Sequence, residues 1–234
     1  MQAFVTHRGK LAVLDRADVN TDLIIPARYL KRIERTGYGP ALFADTRYVA
    51  GGAPDVDDTD KHGALDPSFP LNAASNEGAT ILVVGRNFGC GSSREHAVWA
   101  VAQGGYVAVI APGKGEGFAD IFEGNAINNG LLPIELDPDD WRRLADAPGA
   151  EATVDLGAKT VTLHGDGDRS FPFDVPEAAR ERMMQGLDAI GETLRLDSSI
   201  ASYERSIPAW ATPVVRAALP GQDSNLERQD QNLS

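Results

Sequence analysis

The sequence predicts a mixed α/β domain, and three stretches carry that prediction. Residues 80–110 read as strand, turn, helix and strand: Thr80-Ile81-Leu82-Val83-Val84 is an apolar run of buried-strand length, Ala97 to Gln103 has helical spacing, and Tyr106-Val107-Ala108-Val109-Ile110 is a second strand. Leu131 to Leu136 is a further strand, after which Asp137 is placed to cap a helix over 138–146. Residues 152–164 read as a β-hairpin around Gly157.

The other elements follow in order. Residues 3–14 form a strand and 15–22 a polar loop. Residues 27–33, carrying Arg28, Lys31 and Arg32, form a short basic helix or turn before Gly37 and Gly39 break the chain. Residues 50–68 are rich in Gly, Pro and Asp without apolar periodicity, the mark of a surface excursion. Gly104-Gly105 ends the central helix. The run Pro112-Gly113-Lys114-Gly115-Glu116-Gly117 is expected to be flexible and lies at the carboxyl end of a strand, where α/β sheets bind ligands. Residues 118–123 look helical, and Pro176 suits the first turn of a helix over 176–186. From residue 211 the chain is polar and aperiodic, so 1–210 reads as one domain and 211–234 as a disordered tail.

Composition bounds the function. A chain of 234 residues, 42% of them hydrophobic, suffices for one substantial core. No apolar run approaches bilayer length and the N-terminus lacks a basic region followed by an apolar one, so a cytoplasmic location is the default expectation. A net charge of −12 argues against nucleic acid or anionic membrane as partners, so an anionic substrate needs a local basic site. Cys90 is the only cysteine, which excludes an intramolecular disulfide and a multi-thiolate metal site on this chain. His7, His62 and His164 show no metal-ligand spacing, so no metal is assigned.

The segment with most chemistry is Asn87-Phe88-Gly89-Cys90-Gly91-Ser92-Ser93-Arg94-Glu95-His96, a strand-to-helix turn. Gly89 and Gly91 let backbone approach a ligand, a helix N-terminus favours negative charge, and Arg94 presents a planar fork suited to a carboxylate. Ser92 and Glu95 also stand at capping-box spacing, so Ser92 reads both as a helix cap and as part of an anion site. Two familiar motifs are excluded. Arg94 occupies the third glycine position of a dinucleotide fingerprint, and Glu95 the final glycine of a hydrolase elbow around Ser93.

That segment, with DVNTDLIIP at 18–26, RTGYGPALF at 35–43, FADIF at 118–122, NGLLPIEL at 129–136 and MMQGLDAIGETL at 183–194, resembles the small-subunit family of the bacterial isopropylmalate dehydratases, within the aconitase superfamily. The resemblance runs in order from about Phe4 to Trp210. It implies a three-layer β/β/α swivelling domain that closes on a large subunit. It also implies a hydro-lyase interconverting 2-isopropylmalate and 3-isopropylmalate in leucine biosynthesis, with a [4Fe-4S] cluster on that partner and none here. Ser92 is then the base that removes a carbon-bound proton, Ser93 and Arg94 hold substrate carboxylates with Gly91 beside them, and Asp22 orients a catalytic group of the partner, although on the residues alone Asp22 reads as a turn acid bonding its own backbone. Leu30 and Arg32 fall in the loop that selects the substrate side chain. A related hydro-lyase acting on citraconate, homoaconitate or dimethylmalate, or a non-catalytic anion-binding module, fits the same residues. Asn20, where the family usually has Asp, and the run at 113–117 depart from the pattern.

Overall fold

The computed structural model describes residues 1–208, so the tail expected at 211–234 lies outside the described residues. Contacts divide the chain into two compact units, Met1–Glu192 and Thr193–Ser234; the helix Asp197–Ser206 belongs to the second, and the sheet with its covering helices to the first.

Seven strands form one sheet: β1 (Thr6–Leu14), β2 (Ile81–Val84), β3 (Ala108–Pro112), β4 (Leu132–Leu136), β5 (Glu151–Asp155), β6 (Thr160–Leu163) and β7 (Arg169–Pro172), in the order β4-β3-β2-β1-β5-β6-β7. The long strand β1 joins two half-sheets. Its residues 11–14 pair in parallel with β2, and its residues 6–10 pair antiparallel with β5. Beyond these, β2-β3-β4 continue parallel and β5-β6-β7 antiparallel.

The helices are α1 (Thr21–Ile24), α2 (Ala44–Arg47), α3 (Glu95–Gln103), α4 (Asp120–Asn128), α5 (Pro138–Ala145), α6 (Glu177–Gln185) and α7 (Ala189–Leu194). Strand β2 is buried on both faces, which is why it reads as an unbroken Ile-Leu-Val-Val run rather than an alternation. Leu82 and Val84 face a core shared with α3 and α4, containing Val98, Val101, Phe122 and Ala126. Ile81 and Val83 face a second core, where Trp141 and Leu144 of α5 meet Val154, Val161 and Phe171 of the antiparallel strands. The sheet therefore curls so that its antiparallel half covers the back of its parallel half, giving the three β/β/α layers.

Several elements exceed what the sequence announced. Helix α4 runs to Asn128 rather than stopping near 123, because Phe122 and Ala126 are buried on one face, offsetting the poor helix propensity of Gly124. Strand β7 presents a single inward apolar residue, Phe171, and exists through its pairing with β6. A helical turn, α1, ends the loop read at 15–22. Among the described residues no helix is long and apolar enough to cross a membrane.

Candidate active-site cleft

The loops that leave the carboxyl ends of β1, β2 and β3 are laced together. Thr21 donates its backbone N–H to the Cys90 carbonyl (2.9 Å) and its hydroxyl to the Ser92 carbonyl (2.7 Å), while Gly89 N–H reaches Val19 O (2.8 Å). On the other side, Asn87 and Phe88 donate to the carbonyls of Glu116 and Gly117 (2.9 Å each), and Ala119 N–H returns to Phe88 O (3.1 Å). The 87–94 turn is thus clamped between two neighbours.

Glycine is required at the centre of the clamp. Gly89 has φ +79°, and a Cβ there would lie 2.3 Å from Cγ of Phe122, whose ring sits edge-on to Phe88 at 5.2 Å. Gly91 also has positive φ, +87°, and stays exposed.

The capping-box reading of Ser92 and Glu95 is overturned. Helix α3 begins at Glu95, its cap residue is Arg94 in extended conformation, and no side chain bonds the cap. The Thr21 tether on the Ser92 carbonyl holds the preceding segment out of the helix, and the Glu95 carboxylate instead accepts from Asn129 Nδ2 at 2.9 Å. Capping is done elsewhere. Asn20 Oδ1 accepts from Leu23 N–H (2.8 Å) and caps α1, a role Asn and Asp fill about equally, so the departure at residue 20 keeps the local structure.

Asp22 does not bond its own backbone; it forms an ion pair with Arg94 Nη1. The Arg94 side chain is only 16% exposed while that of Asp22 is 53% exposed, so the acid holds the guanidinium from the solvent side. His96 packs against Trp99 (ring centroids 4.6 Å) and Tyr38 (5.4 Å), and burial, with Arg94 nearby, lowers its pKa below the usual histidine value. It is an aromatic packing residue.

A cleft of about 200 Å³ opens between this turn and α4. Thr21, Gly91, Ser93 and Arg94 line one side; Asp120, Ile121, Phe122 and Asn125 line the other. Ser92 lies exposed outside the lining, its hydroxyl without a partner among the described residues. Leu30 and Arg32 are not in the cleft. Leu30 packs half-buried on the helix-side core, and Arg32 is tied to Thr59 Oγ1 (3.1 Å) and the Thr36 carbonyl (3.4 Å) over the Tyr38 ring. Directly after Arg32, Ile33 is 94% exposed. The α4 wall was missed from sequence; its one signal was FADIF following the carboxyl end of a strand.

The glycine run at 113–117 is fastened, contrary to its expected flexibility. Gly115 and Gly117 donate backbone N–H groups to the Glu135 carboxylate, the latter at 2.8 Å, and a φ of +126° at Gly113 lets the chain bend onto β4.

Cys90 is half-buried, and burial, with Asp18 adding to it, raises its pKa, so it stays a thiol. Among the described residues no three His, Cys, Asp or Glu side chains are grouped to hold a metal. These residues do not fit an iron–sulfur cluster.

Fold and cleft together define a domain class. The chain belongs to the aconitase C-terminal domain family, whose model matches residues 1–139, and a second family model, described as LeuD_N, matches residues 141–177. Within that class it belongs with the 3-isopropylmalate dehydratase small subunits. It is 46% identical to the protein of that name from Desulforapulum autotrophicum over 220 residues, 90% of this chain and 98% of the relative. It is also 46% identical to the one from Bacillus pumilus over 213 residues, with the same two shares. The crystal structure of a 3-isopropylmalate dehydratase from Methanocaldococcus jannaschii superposes with TM-score 0.58 and 27% identity, covering 85% of this chain and 98% of that one.

Proposed function

We propose that this chain is the swivelling subunit of a cytoplasmic hydro-lyase that interconverts 2-isopropylmalate and 3-isopropylmalate through the dehydrated alkene, a step of leucine biosynthesis. Its moving domain is residues 1–210. Arg94, held through Nη1 by Asp22, keeps its other N–H groups for a substrate carboxylate. Ser93 adds a hydroxyl donor, and Gly91 lets the backbone come close. Ser92 Oγ takes the proton from the carbon beside a carboxylate as hydroxide leaves the neighbouring carbon. When water adds back the other way round, it returns a proton to the second alkene carbon.

The observation that carries this reading is an exposed, unbonded Ser92 two residues before an Arg that is already oriented. A serine alkoxide in open water is too basic to persist at neutral pH, so a second surface must close over Ser92 and exclude water before it works as a base. Activity therefore needs a large subunit, and the [4Fe-4S] cluster belongs on that partner, since one thiol cannot hold it. The loop that holds Leu30 and Arg32 selects the substrate side chain once the partner closes, and Ile33 is its exposed apolar residue.

The test is anaerobic assembly with the large subunit, followed by assays on 2-isopropylmalate and on the citraconate, homoaconitate and dimethylmalate families of diacid. Turnover by the complex only, with the highest kcat/KM on isopropylmalate, supports the reading. Preference for another diacid moves the assignment within the superfamily, and assembly without turnover on any of them leaves an anion-binding module.

A further inference from the structure

We infer that Asn125 is a substrate-binding residue whose carboxamide donates to the second carboxylate of the diacid, an assignment resting on the function proposed above. The argument starts from which polar groups in the cleft are already used. The Thr21 hydroxyl is spent on the Ser92 carbonyl, and Arg94 Nη1 on Asp22. One turn further along α4, Asn129 is fully engaged: Nδ2 bonds Glu95 Oε1 and the Asn125 carbonyl (2.9 Å each), and Oδ1 accepts from Trp99 Nε1 at 2.9 Å. Asn125 stands on the same helix, half-buried and lining the cleft, and no group among the described residues bonds its carboxamide.

Charge then decides what that carboxamide is for. A dicarboxylate brings two negative charges, whereas the cleft carries one arginine, paired with Asp22, and a further acid, Asp120. On this chain Arg94, with Ser93 beside it, can hold one carboxylate; what the α4 side of the cleft offers the other, beside anything the partner subunit adds, is a donor that carries no charge. Asn125 Nδ2 is that donor. Its helix is rigidly placed, because Phe122 is buried beneath Gly89 and packed against Phe88 and Phe118, so little ordering is needed on binding.

The test uses Asn125→Ala and Asn125→Asp in the assembled complex, with kcat/KM for 2-isopropylmalate, thermal unfolding and co-elution with the large subunit. Loss of a hydrogen bond to a charged group lowers kcat/KM about 10- to 100-fold in N125A. N125D, nearly isosteric but anionic and without donors, falls further still. A packing role orders the two the other way, since N125D preserves the shape; N125D more active than N125A overturns the assignment, as does N125A within twofold of wild type. Should N125A fail to fold, N125D against Asn125→Ser decides by the same ordering, with N125D expected to be the worse. Absence of turnover in the wild-type complex sinks the functional reading and this inference with it; wild-type turnover with an intact N125A sinks this inference alone.

Discussion

Replacing Ser92 by alanine separates chemistry from folding sharply, because the structure assigns the side chain no structural work. The hydroxyl is exposed, it bonds nothing among the described residues, and the cap residue of α3 is Arg94. The tether that shapes the turn reaches the Ser92 carbonyl, which alanine keeps. An exposed substitution of this kind changes stability by no more than about 0.5 kcal/mol. In a unit of this size that is a shift in Tm of roughly 2 °C or less. A capping serine would instead cost about 1 kcal/mol. Loss of a positioned base, in contrast, should lower kcat about 100- to 10,000-fold. The assay is formation of the unsaturated diacid by absorbance, using complex of verified stoichiometry, beside thermal unfolding of the free chain. Turnover near the wild-type level by a folded, partner-bound S92A would falsify the base assignment, and a Tm loss of several degrees would show that the hydroxyl has a structural partner.

Four other outcomes are expected. Gly89→Ala adds the cost of a positive φ, about 1–2 kcal/mol, to a steric conflict with Phe122 of about 1–3 kcal/mol, so Tm should fall by at least roughly 4 °C; an unchanged melting curve would mean the turn relaxes freely. Asp22→Ala removes a partly exposed ion pair worth under about 1 kcal/mol to the fold, yet should raise KM for the diacid by freeing Arg94, and unchanged kinetics would refute the positioning role. Glu123 has its pKa raised by burial, with Glu135 and Asp120 adding to it, so this side chain binds its proton more tightly in the native state than in the unfolded chain and its own contribution to stability should rise as pH falls through the carboxylate range. Glu123→Gln should accordingly raise Tm at neutral pH and lose that advantage in acid, as seen by calorimetry across the range. Truncation after residue 210 should leave Tm and partner binding unchanged, given the aperiodic polar composition of what is removed, and weakened co-elution would assign the tail an interface role.

What the sequence by itself determined was whatever depends on local pattern and on counting. An apolar run of four to six residues bounded by turn residues and rich in β-branched side chains reads as a buried strand, so β2 and β3 were legible, as was α5 with Asp137 as its cap. One cysteine excludes a multi-thiolate metal site on this chain. The candidate site was legible as a turn of glycines, serines and an arginine. Its wiring was not. Ser92 and Glu95 stand at capping-box spacing, yet the fold ties the Ser92 carbonyl to Thr21, 71 residues away in sequence, and gives the Glu95 carboxylate to Asn129 instead. Asp22 became the partner of Arg94 in the same way, across 72 residues. The α4 wall with Asn125 required a helix to continue through Gly124, which local propensity disfavours and burial of Phe122 and Ala126 outweighs. The glycine run at 113–117, flexible by composition, was pinned by a carboxylate on a strand 18 residues downstream of Gly117. Spacing along the chain encodes what neighbours in sequence can do for one another. Which polar groups are used up, and which remain free to bind a substrate, is settled only when distant loops meet at the carboxyl edge of the sheet.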